Sequence, residues 1–121
     1  MNTALWIAQG LLAFVFGMAG AMKATMPIER LAERMGGWPA EMPALTRFIG
    51  VAEMAAAIGM VLPIMLGILP WLTPLAAAGL AVIQILAIGF HLRRGERSVL
   101  PVNAVLLALS LFVLIGRFEL F

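Results

Sequence analysis

A chain of 121 residues, 64% of them hydrophobic and with a mean hydropathy of +1.08, is too apolar for an ordinary soluble domain and reads as one bilayer-embedded domain, residues 1–121. Eight basic and six acidic residues leave a formal charge of +2, too weak a balance to argue for nucleic-acid binding. Without cysteine there can be no disulfide, CxxC redox chemistry, iron–sulfur ligation or persulfide, and a single histidine with no aspartate argues against a metal site.

A bilayer core of about 30 Å is crossed by roughly 20 apolar residues of helix. Four such spans are predicted, near 4–22, 45–64, 72–91 and 100–117, making the chain an all-α, integral membrane four-helix bundle. The first could instead be a signal peptide ending at Ala19-Gly20-Ala21, but its start lacks the Lys or Arg such a segment needs, so it is read as a span. Gly10, Ala13, Gly17, Gly20 or Ala21, and Ala24 form a stripe of small residues along it, flanked by Gln9 and Lys23. Such a stripe lets helix backbones approach closely in lipid.

Residues 23–44 are polar enough for a loop. Within it, Pro27 suits a first helical turn, and Ile28, Leu31, Ala32 and Met35 recur at helical spacing opposite Glu29, Arg30, Glu33 and Arg34. A short interfacial helix stopped by Gly36-Gly37 is expected, its charges marking a solvated face. Trp38 is left in this loop.

On the second span, Thr46, Gly50, Glu53, Ala57 and Met60 share one face, so Glu53 lies on the small-residue side of an otherwise apolar run. It is six residues past Arg47, about 9 Å deeper. An unpaired charge at mid-bilayer costs roughly 2.5–3.5 kcal/mol even on a lenient scale, so Glu53 needs a proton or a partner. Lys23 and His91 are the expected partners, because Arg47 projects about a third of a turn away. A buried carboxylate of this kind either locks helix register or marks a site.

Pro63 and Pro70 are expected to break the helices around a tight hairpin, with Thr73 as N-cap and Pro74 at the first helical position. On the third span Gln84 and His91 lie seven apart. Ser98 and Pro101 punctuate the start of the fourth, where Asn103, Ser110 and Arg117 recur by sevens. Gln84, Asn103 and Ser110 are read as interhelical hydrogen-bonding groups. Seven basic residues (Lys23, Arg30, Arg34, Arg47, Arg93, Arg94, Arg97) fall after spans one and three, against Arg117 alone on the other side. The positive-inside rule then puts the short helix in a cytoplasmic loop and both termini in the periplasm.

At GMAGAMKAT (17–25), RFIGVAE (47–53), ILPWLTPLAAAGLA (68–81), FHLRRGE (90–96) and Asn103 through GRF (116–118), the chain resembles the DoxX-like family of small bacterial membrane proteins. The resemblance implies a four-helix bundle in the bacterial inner membrane. Its recurrent polar positions correspond to Lys23, Arg47, Glu53, His91 and Asn103, the candidate intramembrane site. Gly17, Gly20, Gly50 and Ala57 are the candidate packing positions. No catalytic residue is assigned.

Three functions fit. One is service as a non-catalytic membrane subunit or assembly partner, for a membrane or peripheral protein or for a second copy of itself. It could be the quinone-facing part of an oxidoreductase, with Glu53 and His91 relaying protons and a partner supplying electrons. It could bind a small amphipathic ligand inside the bundle. The first is the leading expectation. No cofactor is evident from the residues, and a quinone is the one that would fit the second.

Overall fold

The structure, a computed structural model, describes residues 2–121. Its helices are α1 (Asn2–Thr25), α2 (Ile28–Met35), α3 (Trp38–Glu41), α4 (Pro43–Leu66), α5 (Leu72–Arg93) and α6 (Leu100–Gly116), followed by one 3₁₀ turn at Phe118–Leu120. Among the described residues there is no strand. The first three long helices have 24, 24 and 22 residues and are long and apolar enough to cross a membrane. With 17 residues, α6 reaches about 26 Å, the short limit for a crossing.

The long helices run alternately up and down and close a ring: α1 packs on α4, α4 on α5, α5 on α6, and α6 back on α1. Outward faces carry Phe14, Phe48, Val82, Ile85 and Ile115, all strongly exposed, as a lipid-facing surface requires. Inside, Ala8, Leu12, Phe16, Ala57, Met60, Ala77, Leu80 and Val113 form the packed core. All but Phe16, just past the middle of α1, lie in the half of their helix toward the chain termini and the α4–α5 hairpin. The other half, the basic end, is filled differently.

Helices α1 and α4 meet where neither has a side chain to separate them. A Cβ on Gly20 would stand 2.6 Å from the Gly50 carbonyl oxygen, and one on Gly50 would stand 2.6 Å from the Ala24 nitrogen. Gly17 faces the Ala57 Cβ at an ordinary 3.7 Å. Gly10, placed in the same stripe by its spacing, lies outside the contact, with nothing near it. The small-residue seam therefore runs along the basic half of α1, not along its whole length.

Several local expectations are corrected. Pro63 does not end its helix; it is buried inside α4, which continues to Leu66 and stops at Gly67 in the left-handed conformation (φ 67°). Proline at 63 leaves the Gly59 carbonyl without its intrahelical N–H partner. The Thr73 hydroxyl donates to that oxygen at 2.7 Å. Thr73 is thus no N-cap, nor is Pro74 the first helical residue: α5 begins at Leu72, which makes Pro74 its third residue, and the threonine repairs the neighbouring helix. Finally, the loop holds a second helix, the single turn α3 that starts at Trp38, and Pro27 stands just before α2 instead of inside it.

Substituting Gly50→Ala is expected to force α1 from α4 and lower stability in detergent by about 1–3 kcal/mol, as overpacking does. Gly17→Ala is expected to be nearly neutral. Thermal unfolding of the two purified variants checks this; equal melting temperatures would show that the helices do not approach at Gly50.

Candidate functional site

The close approach of α1 and α4 sets the site. Gly20 against Gly50 brings the last turn of α1 beside the second and third turns of α4, so Lys23 Nζ reaches Glu53 Oε1 at 2.9 Å. The Glu53 side chain is 2% exposed and the Lys23 side chain 15%. Arg47 serves α1 in another way. Its Nη1 donates to the carbonyls of Lys23 (3.1 Å) and Met26 (2.6 Å), which end the helix and have no amide partners of their own.

His91 does not meet Glu53, contrary to expectation. After α5 the chain turns at Gly95 (φ 71°) and brings Glu96 back, placing Glu96 Oε1 2.8 Å from His91 Nδ1. An ionised carboxylate accepts only, so the ring nitrogen carries the hydrogen. This hydrogen bond, with the Arg94 guanidinium adding to it, holds the Glu96 carboxyl below the usual carboxylate range. Arg94 also reaches Glu41 (3.2 Å) and donates to the Gly36 carbonyl (3.1 Å). The loop after α5 is thereby fastened to the α2–α3 segment. Trp38 folds inward beneath this clasp, edge-on to Phe90 with ring centroids 5.5 Å apart.

Under the clasp is a cavity of about 770 Å³, a size suited to a small-molecule ligand. Lys23, Glu53, Gln84, His91 and Asn103 line it, with Trp38 and Glu96 at its basic end. Most of the remaining wall is apolar, from Ile49, Ala52, Ile83, Ala87 and Phe90. Leu45, Phe48, Leu86 and Val102 also belong to the wall, yet are 46%, 69%, 67% and 60% exposed. In a bilayer those side chains touch lipid, so the cavity opens sideways as well as lying under the clasp.

Three residues of this wall each hold one buried polar atom without a hydrogen-bond partner, Trp38 Nε1, Gln84 Oε1 and Asn103 Nδ2, and Arg117 Nη2 at the opposite end is a fourth. Leaving a buried group unsatisfied costs about 1–3 kcal/mol, and here α3, α5 and α6 each contribute one. Gln84 and Asn103, read as interhelical hydrogen-bonding groups, instead each keep one of these unsatisfied atoms. Ser110 departs from that reading too, donating to the Leu106 carbonyl of its own helix at 2.8 Å.

The interhelical tie lies at the opposite end. Gln9 Nε2 donates to the Met60 carbonyl at 2.6 Å, and Arg117 Nε donates to Gln9 Oε1 at 2.8 Å, with the guanidinium over the Trp6 ring. Among the described residues, no group of His, Asp or Glu could hold a metal.

Of the five polar residues read from sequence, four line the cavity and Arg47 stands outside it, on the end of α1. Sequence reading missed Trp38, Glu41 and Glu96. Trp38 carried a usable signal: it is the one aromatic residue in the polar loop, between a Gly-Gly pair and a proline.

Helical spans, an apolar exterior and a polar-studded cavity at one end define a small membrane-embedded helical bundle. The sequence matches the DoxX-like family over residues 7–113, and the chain belongs to that family. No match was found among curated proteins or among solved structures.

The two members of the buried pair should respond unequally. Lys23→Ala leaves a carboxylate buried without its cation, and is expected to cost about 3–5 kcal/mol or to force protonation. Glu53→Gln keeps shape and an acceptor, and leaves a lysine near its helix end that can reach water; its stability is expected within about 1 kcal/mol of wild type. Detergent melting curves decide, and a Glu53→Gln variant as unstable as Lys23→Ala would mean the pair is not organised this way.

Proposed function

We propose that this DoxX-like protein binds a small amphipathic molecule between its helices at the basic end. The observation that carries this reading is a largely apolar cavity of about 770 Å³, open sideways, with Lys23, Glu53, Gln84, His91 and Asn103 in its wall. The half nearer the termini is instead packed, around Leu12, Met60, Leu80 and Val113. Lateral exposure of Phe48 and Leu86 supports entry of the ligand from lipid. A quinone is one molecule of suitable character; in that case Glu53 and His91 would be the proton-handling groups and electrons would come from a partner.

Ligand binding is compatible with service as a non-catalytic subunit, and a separate observation favours that role. Gly10 on α1 and Gly79 on α5 are exposed, with no heavy atom within 4 Å of where a Cβ would stand. Outward-facing glycines on membrane helices allow another helix, from a partner protein or a second copy, to lie close. Filling the cavity separates the two roles. Ala87→Trp is expected to abolish retention of a bound amphiphile while folded yield and any co-purifying protein persist. Mass spectrometry of the gently extracted protein reads all three; an amphiphile retained by the variant would overturn the cavity as its site.

The seven-to-one distribution of basic residues supports placing the α2–α3 segment in the cytoplasm of a bacterial cell, with both termini across the inner membrane. A reporter fused at the C-terminus is expected to be active in the periplasm, and one inserted near Gly36 in the cytoplasm. Cytoplasmic activity of the C-terminal fusion would overturn this orientation.

A further inference from the structure

The segment that covers the cavity is longer than its two ends require. A Cβ on Gly50 would stand 2.6 Å from the Ala24 nitrogen, so the end of α1 lies beside α4 seven residues past its start at Pro43. From Thr25 to Pro43 the chain must therefore climb about 10 Å, which about four extended residues would span. It uses the 17 residues 26–42 instead. The surplus folds as α2 and α3, and places Arg34, Met35, Gly36, Trp38 and Met42 in the cavity wall.

This cover is held on its two sides by different means. Its helices pack on each other and α3 packs lightly on α4; toward α5 there is no comparable helix packing, and side chains make the attachment. Trp38 is buried against Phe90, and Leu31 is fully buried. Their burial holds the segment down, though the indole Nε1 enters without a hydrogen-bond partner, which offsets part of the gain. Among the described residues, both polar contacts across the gap come from one guanidinium, that of Arg94, to Glu41 (3.2 Å) and to the Gly36 carbonyl (3.1 Å). Glu96 braces it at 3.3 Å, and it lies over the Phe90 ring, 5.5 Å from the centroid. The Arg94 and Glu41 side chains are 28% and 64% exposed, so water and salt compete for the pair. Beside this contact Gly36 and Gly37 both have positive φ (84° and 88°), a backbone freedom that makes a joint between α2 and α3.

We propose that α3 and the Gly36-Gly37 joint form a lid latched by Arg94, whose opening gives the cavity a second exit, to water at the basic end. With the lid closed, the cavity communicates with lipid past Phe48 and Leu86; with it open, the cavity communicates with water as well. An amphiphile that entered from the bilayer then leaves toward water instead of returning to lipid. That use of the lid rests on the binding reading above, whereas the lid itself rests on the contacts around it. Opening breaks exposed electrostatic contacts, so salt favours it, and it returns the Trp38 N–H to water, where it regains a partner.

The chain has no cysteine, so a single Ala87→Cys in the cavity wall reports access to it. Its labelling by sulfonatoethyl methanethiosulfonate, which is charged and does not enter lipid, is timed in lipid nanodiscs. Ala77→Cys, in the packed half, is the control. Raising salt from about 0.05 to about 0.5 M is expected to speed labelling at position 87. Arg94→Ala is expected to speed it at least about tenfold at low salt and to abolish the salt effect, with position 77 unreactive throughout. Should Arg94→Ala fail to fold, Glu41→Gln, which removes one contact of the latch, is expected to give a rise of about threefold. Labelling at the unaltered rate in these variants overturns the latch, and an equal rise at position 77 shows general loosening and overturns the lid. The binding reading fails on a different result, an amphiphile retained by Ala87→Trp, which the labelling does not touch.

Discussion

The contact of α1 with α4 at Gly20 and Gly50 is the constraint on which the rest of this molecule depends. Two helices can exchange an ion pair across an apolar environment only if their backbones are near enough for short reach and correct register. Here the absence of two side chains supplies that nearness, and Lys23 and Glu53 then find each other one turn further on. Arg47 reinforces the arrangement by closing the carbonyls at the end of α1 from the neighbouring helix. Dispersion along the seam brings the helices together, and the charged pair fixes how far one may slide past the other.

From that contact the bundle divides into halves with different physics. Toward the termini, aliphatic side chains and Phe16 fill the interior, and the polar groups there are largely spent on one another through Gln9. Toward the basic end the interior is left open, and Lys23, Glu53, Gln84, His91 and Asn103 stand in its wall. The loop clasp of Arg94, Glu96, Glu41 and Gly36 covers this region from the side of the solvent, so the wall can remain polar without simply flooding. A membrane protein of this length has little material beyond its spans, and the short α2–α3 segment does the work of a cover.

Much of this was legible in the sequence because lipid imposes a one-dimensional test. Spans follow from runs of apolar residues, and the buried face of α4 follows from Thr46, Gly50, Glu53, Ala57 and Met60 recurring at helical spacing, all of which are buried. The choice between Lys23 and His91 as the partner of Glu53 was not legible. It turns on the fold of the 94–96 turn, where Gly95 adopts a positive φ and returns Glu96 to the histidine. Periodicity says nothing about such a turn. Likewise, Gln84 and Asn103 could be assigned to the interior by their spacing, but whether an interior polar atom meets a partner or a cavity depends on the separation of helices. That separation is a property of the whole ring.

The repair of Pro63 by Thr73 also bears on how the chain enters the membrane. A helix carrying a bare carbonyl at Gly59 would be penalised in hydrocarbon, where no water can take the place of the missing donor. The hydroxyl that satisfies it belongs to the start of the next span, across a connection of only five residues, 67–71. Neither span is complete alone. The α4–α5 hairpin is therefore the natural unit of insertion, its second limb arriving with the hydrogen bond that the first limb lacks, and its short uncharged tip leaving little to be carried through the bilayer.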